Sequence, residues 1–355
     1  MSNSRAGNIQ IAATQSWEQY RGFLSNMDIE IAIDGKTARV DLTFYINVDS
    51  SNSLYGSLPN HNMRDLEARL DFTLPSTAYF YDSYLWLNPQ TIIRARLSDV
   101  NSANQTYDSI VARKVDPSIL QKTYGNNYSL KVFPISTTYS RQVKISYSVP
   151  ISAHGSNKEY IEMPWEILSM VGNNEKIRLI LNNSSQMTGI NTLYPLTTKL
   201  VASNGSQKTF EINRESIPSN KSCFVEYENQ TPKTVDVSFQ TVSSNEKFYS
   251  LRARTDQLSE LSKATGIYEI KIPMKSGGFL YHRQNNSWSK LNPNIIYSEL
   301  GRIEGEIDFS KQLELNFKID NVATNLKFDL DSSNKSDYLY QDWTKLYTDI
   351  NEGKE

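Results

Sequence analysis

Residues 116–147 read DPSILQKTYGNNYSLKVFPISTTYSRQVKISY, and this stretch decides the fold. At its end Val143, Ile145, Tyr147 and Val149 fall on one face of an extended chain, while Lys144, Ser146 and Ser148 fall on the other. Strict alternation over that length predicts a strand buried on one side. Phe133-Pro134 marks a strand end, because proline cannot donate to a sheet ladder. Asp116 before Pro117 predicts a capped helical turn over Pro117–Leu120, the carboxylate accepting backbone N–H bonds and the proline occupying the first helical position. None of these residues forms a catalytic constellation.

Working outward, a helix is predicted upstream. It is entered through Asp99–Asn101 and carries Ala103, Tyr107, Ile110 and Val111 at helical spacing, a stripe suited to packing on a sheet. Farther upstream, Ile29, Ile31 and Ile33 alternate with Asp28, Glu30 and Ala32 before Asp34-Gly35. Ala38, Val40, Leu42, Phe44, Ile46 and Val48 then return on one face, so a hairpin is predicted. Strands follow at Leu66–Leu74, ended by Pro75, at Tyr79–Leu87, and around Ile93, Ala95 and Leu97. Residues 49–64 read as an inserted loop, and residues 1–25, with Trp17, Tyr20 and Phe23, as an N-terminal arm.

In this order the motifs resemble the VIT domain, named for vault proteins and inter-alpha-trypsin inhibitor heavy chains. They are the hairpin with Gly35 and Ala38, Glu67-Ala68 leading to Leu74-Pro75, the helix with Ala103 and Tyr107, Asp116-Pro117, Phe133-Pro134-Ile135 and the strand ending at Tyr147. The resemblance covers about residues 26–152. It implies a β-sandwich-like scaffold with one packed helix, and it brings no catalytic residues. Within the family, residues 115–120 (VDPSIL) and 131–134 (KVFP) look most like bacterial members linked to exosortase protein-sorting systems. That resemblance implies an extracytoplasmic envelope protein held at the inner membrane by segments outside residues 1–355; a chain complete as given would be cytoplasmic.

Downstream the residues stay β-rich, with AHGSNK at 153–158 as the predicted boundary. Strands are predicted at Lys176–Leu181, Thr209–Ile212, Cys223–Tyr227, Val235–Thr241 and Ile267–Pro273, with a short helix at Asp256–Ala264. Residues 153–320 therefore read as a second β-rich region. Residues 321–355 read as strand, serine-rich turn and helix, the helix running from Asp337 to Asn351 with Leu339, Trp343, Leu346, Tyr347 and Ile350 on one face. That order resembles the opening of a von Willebrand factor A domain. Its metal site needs Asp-x-Ser-x-Ser, however, and Asp331 is followed by Ser332, Ser333, Asn334 and Lys335, so no metal site is carried over. The whole is predicted to be mainly β.

At 355 residues, with 37 basic and 39 acidic side chains, the formal charge is −2. Such a balance gives no electrostatic pull toward nucleic acid. Cys223 is the lone cysteine and sits beside Phe224 and Val225, which marks it as a small core residue. His61, His154 and His282 are scattered along the chain, and the glycine pair in residues 275–281 (KSGGFLY) lacks phosphate-loop spacing. No catalytic, cofactor-binding or metal-binding residue is assigned, and no cofactor is implied. The leading expectation is a noncatalytic scaffold with protein partners. Two alternatives stand beside it: an envelope-polymer hydrolase using paired carboxylates, and a carbohydrate-binding module presenting aromatics such as Trp86, Trp165, Trp288 and Trp343 or Tyr281 and Tyr297.

Overall fold

The computed structural model describes residues 9–13, 19–34, 37–53, 66–75, 78–96, 100–113, 117–154, 158–182, 187–193, 198–217, 223–229, 235–254, 267–275, 279–281, 296–319 and 322–330, with 332, 335 and 339. Its first strands are β1 (Ile9–Ala13), β2 (Gln19–Asp34), β3 (Thr37–Ser53), β4 (Leu66–Thr73), β5 (Tyr79–Asn88) and β6 (Thr91–Arg94). Helix α1 (Val100–Ala112) precedes β7 (Ser118–Lys122), β8 (Asn127–Ile135), β9 (Arg141–Pro150), β10 (Ser152–His154) and β11 (Lys158–Met163). A short α2 (Trp165–Ser169) leads to β12 (Ile177–Asn182), β13 (Met187–Leu193), β14 (Thr198–Asn204), β15 (Gln207–Ile212) and β16 (Cys223–Asn229).

The main sheet runs β6-β5-β9-β3-β2-β1-β4-β8-β7, with β12, β15 and β14 branching from β2. The two arms of the expected hairpin pair, from Asp34 facing Thr37 as far as Tyr20 and Ser53. Alternation becomes burial: Ile29, Ile31, Val40, Leu42, Ile46, Val143, Ile145 and Tyr147 are all fully buried. The other face of β9 departs from the expected pattern, because Ser146 and Ser148 are buried too. The register explains this, since these short side chains lie beside the longer Asp41, Asp82, Arg39 and Tyr79 of the flanking strands.

One strand holds the architecture together. β2 pairs with β3 throughout, but its other edge changes partner: Gln19–Gly22 pair antiparallel with β1, and Met27–Ala32 pair parallel with β12. Between them the β2–β3 register shifts from Ser25 to Asp28, and Asn26 takes a left-handed φ of 47°. A bulge of this kind bends a strand and increases its twist, which turns the two halves of β2 toward different neighbours. The segment after α2 fits into the bend, with Leu24 donating its N–H to Met170 O at 2.9 Å and Gly172 donating to Leu24 O at 2.9 Å. Arg214 seals the end of α2 by donating to Ser169 O and Val171 O, both at 2.7 Å.

Pairing thus continues across both expected boundaries. Ile9–Ala13, within the expected arm, form a strand bonded to β2 and β4, with Ile9 and Ile11 buried. One hydrophobic core runs from Ile9 to Tyr227 and takes in Ile161, Ile177, Leu179 and Cys223 from beyond residue 153. The expected helical turn at Pro117–Leu120 is instead the start of strand β7. Ile119 turns inward to pack with Tyr107 and Phe133, and Ala103 and Val111 of α1 close that small cluster. Burial of Ile119 under α1 outweighs the local helix-start signal.

A second core is built from β17 (Val235–Thr241), β18 (Glu246–Arg254), β19 (Ile267–Lys271), β20 (Phe279–Tyr281), β21 (Ile296–Glu304), β22 (Gln312–Ile319) and β23 (Val322–Asp329). These form two sheets, β17-β18-β21-β20 and β19-β22-β23. Val237, Tyr249, Leu251, Ile270, Ile303, Leu313 and Leu315 fill the layer between them. The helices expected at Asp256–Ala264 and Asp337–Asn351 lie outside the described residues, apart from Leu339, which is buried.

Candidate functional site

The polar face of the main sheet carries a connected group of interacting ionisable side chains. Alternation along β3 puts Arg39 and Asp41 on the face opposite the core, and β9 adds Lys144. Arg39 lies over the Tyr81 ring, 4.1 Å from its centroid, and donates from Nε to the Tyr81 hydroxyl at 3.1 Å. The Tyr81 hydroxyl donates in turn to Asp41 Oδ1 at 3.0 Å, and Lys144 Nζ reaches Asp41 Oδ2 at 2.6 Å. Burial, reinforced by the Asp41 carboxylate, holds the Tyr81 hydroxyl well above the usual phenol range.

A parallel chain of contacts runs along β5 to the sheet's edge. Tyr84 donates to Asp82 Oδ2 at 2.8 Å, and Arg94 Nε donates to the same oxygen at 2.7 Å. Ser83 N–H adds a bond to Asp82 Oδ1 at 3.0 Å, so this buried carboxylate, only 6% exposed, is fully engaged. Burial and the Asp82 bond push the Tyr84 hydroxyl upward, and the Asp82 bond raises Arg94. No described strand pairs with the outer side of β6: Thr91–Arg96 are all exposed, Ile92 by 50% and Ile93 by 45%.

Glu30 and Asp41 face each other across β2 and β3 beside a hollow of about 140 Å³ that Ala32, Arg39, Tyr81 and Asn182 complete. The hydrolase alternative requires paired carboxylates, and these two share one hollow. Both Asp41 oxygens are already committed, Oδ1 to Tyr81 and Oδ2 to Lys144, whereas a nucleophile or base needs a free one. A larger open groove of about 440 Å³ is lined by Arg69, Asp71, Thr73, Tyr128 and Glu166, and there Glu166 accepts the Thr73 N–H at 2.6 Å. Among the described residues no group of three or more His, Cys, Asp and Glu side chains is placed to hold a metal. No helix among them is long and apolar enough to cross a membrane.

Of the aromatics weighed for sugar binding, Trp86 and Trp165 have described side chains. Trp86 and Trp165 are half-buried, and Trp165 packs on the first core. Trp288, Trp343, His61, His282, Asp116 and Asp331 lie outside the described residues, as do the side chains of His154, Tyr281 and Tyr297. Cys223 is fully buried, and burial pushes its thiol up to about 11, which removes it from nucleophilic chemistry near neutral pH. Sequence reading passed over the Asp41, Tyr81, Lys144 and Asp82 network. Its members come from three strands that are not consecutive in the chain, with a register shift in β5 between Phe80 and Asp82, so only the strand order β5-β9-β3 brings them together.

This part of the molecule is thus a curled, mainly β sheet with α1 packed on it and an ion-paired polar face. Residues 24–147, from within β2 to within β9, match the model of the vault protein inter-alpha-trypsin domain, so the chain carries a VIT domain over that stretch. No curated protein matches the chain in sequence. Among solved structures, an M1 zinc metallopeptidase from Deinococcus radiodurans aligns at 6% identity over 64% of this chain and 46% of its own, with a TM-score of 0.30. A variant of the Deinococcus radiodurans enzyme bound to a Tyr-Ser-Ala substrate aligns at 6% identity over 62% and 44%, with a TM-score of 0.31. Scores this low say nothing of fold or chemistry, and this chain spans less than half the length of those enzymes.

Proposed function

We propose that this VIT-domain protein is a noncatalytic protein-interaction scaffold of the bacterial envelope, working extracytoplasmically with a protein-sorting system. The single observation that carries the interaction reading is the open edge at Thr91–Arg96, which lies inside the matched region and exposes two consecutive isoleucines. Exposed edge strands are ready-made templates for a partner's backbone. The envelope placement rests on the resemblance of residues 115–120 and 131–134 to exosortase-linked members.

The interaction reading is tested by placing a photo-crosslinking amino acid at Ile92 of the intact protein in its native cell. A discrete crosslinked protein, absent when the probe sits at an exposed position on β23, is the expected result. Crosslinks no different from those of the β23 control would sink the reading. Reporter fusions on either side of residues 24–147 test the placement, and activity from a reporter that works only in the cytoplasm would refute it.

A further inference from the structure

The open edge has a chemistry that selects its occupant. Ala95 N–H bonds Ser83 O across to β5 at 2.8 Å. Backbone groups along an antiparallel strand alternate in direction, so Ile93 also turns its N–H and C=O inward while Ile92 and Arg94 turn theirs away from the sheet. Side chains alternate as well. Ile93 pairs with Leu85, Leu85 with Val143 and Val143 with Phe44, a single row across the sheet. Phe44, Val143 and Leu85 are 1% exposed or less, but Ile93, the last of the row, is 45% exposed. The core layer therefore reaches the edge and stops there uncovered.

On the opposite face of the same segment Arg94 lies opposite Tyr84 with its guanidinium bound to Asp82, and Arg96, two residues on, has no ion pair among the described residues. No acidic residue lies between Thr91 and Arg96. A second copy adding antiparallel to β6 would bring Arg96 of both chains to one seam, and like charges facing each other across strands are destabilising. An acidic strand meets no such penalty. Edge strand β14 is a poorer candidate although Leu200 and Val201 are exposed, because the extra residue of its register shift lies in the edge strand itself, between Leu200 and Ala202, whereas the shift in the β5–β6 pairing falls on β5, between Trp86 and Asn88, and a bulge twists an edge away from further pairing.

We propose that Thr91–Arg96 is a docking edge for an extended acidic segment of a partner protein. That segment adds as an outer strand, with apolar residues covering Ile93 and Ala95 and an Asp or Glu facing Arg96. The proposal rests on the interaction reading above and names the surface and the chemistry of its partner.

The test uses the full chain and a fluorescent, end-blocked peptide of about seven residues alternating Glu and Val, with a Lys-for-Glu peptide as control. Anisotropy is expected to rise with the acidic peptide alone, and hydrogen exchange to slow at the outward amides of Ile92 and Arg94. Ile92→Pro removes an outward donor without touching the ladder to β5, and is expected to abolish binding; circular dichroism confirms that this variant folds. Arg96→Glu is expected to weaken binding about tenfold, equivalent to ~1.4 kcal/mol. Equal binding of the basic peptide, protection appearing at β14 instead, or self-association that the acidic peptide does not compete would each overturn the proposal. A native partner that binds Ile92→Pro unchanged would overturn this edge while leaving the scaffold reading intact, whereas the absence of any partner would remove both.

Discussion

Gly22 sits where β1 crosses close to the β2–β3 ladder, and a methyl group there has nowhere to go. A Cβ at this position would lie 2.7 Å from Ile9 Cγ2, 2.9 Å from Asn47 O and 2.9 Å from Ile11 Cδ1. Ile11 Cδ1 is the far end of a flexible side chain and can yield. Asn47 O belongs to the backbone of β3, held by the pairing of Phe23 with Asn47, and Ile9 Cγ2 sits on a β-branched carbon with little rotational freedom. Relief therefore requires β1 to move off the sheet. Overpacking of this kind costs typically 1–3 kcal/mol, and stiffening the unfolded chain returns about 0.4–1 kcal/mol, so Gly22→Ala is expected to lose about 1–2 kcal/mol. Urea unfolding should show a lower midpoint with an unchanged slope, and hydrogen exchange should quicken first in Ile9–Ala13. Gly125→Ala is the control: its φ of +58° strains any side chain but nothing lies within 4 Å, so it should lose stability without loosening β1. A Gly22→Ala protein as stable as the parent would refute the reasoning.

Two tyrosines should respond in opposite senses to the loss of a hydroxyl. Tyr107→Phe removes the bond from its hydroxyl to Glu67 Oε2 at 2.8 Å and should cost about 1–2 kcal/mol; Tyr147→Phe deletes a fully buried hydroxyl with no partner among the described residues and should leave the melting temperature unchanged or raised. Alkaline stability follows from burial, which raises Tyr81, Tyr107 and Tyr147 above 10.0 and Cys223 from 9.0 to about 11. Because the unfolded chain releases these protons first, stability is full below about pH 9 and falls as pH climbs through the folded-state values; a flat unfolding midpoint from pH 8 to 11 would contradict this. Lys144→Met strips Asp41 of its cation; both partners are about a quarter exposed, so solvent screening limits the loss to about 1 kcal/mol, and the difference from the parent should shrink in high salt.

The strands of the matched region were legible because their alternation is long: six apolar residues from Ala38 to Val48 leave no other reading. The α1 stripe was legible for the same reason at period 3.6. β1 was not, since IQIAA offers five residues and only two isoleucines, and its burial depends on Leu66–Leu70 far along the chain. β7 was misread because Asp-Pro is a local helix-start signal, whereas Ile119 is fixed by Tyr107 and Phe133. The polar network was invisible for a topological reason, and so was the β2–β12 pairing, in which Asp28 meets Arg178 at 2.6 Å across 150 residues.

That last pairing sets a limit on how the molecule can be cut. A fragment ending near residue 150 would satisfy the family match yet leave Met27–Ala32 without the strand that bonds their outer side. Their row of backbone donors and acceptors would face water beside Ile29 and Ile31, the pattern that recruits other chains into aggregates. Expression boundaries for this protein belong after β16, where the first core closes at Tyr227, and a soluble recombinant product is the practical reward for placing them there.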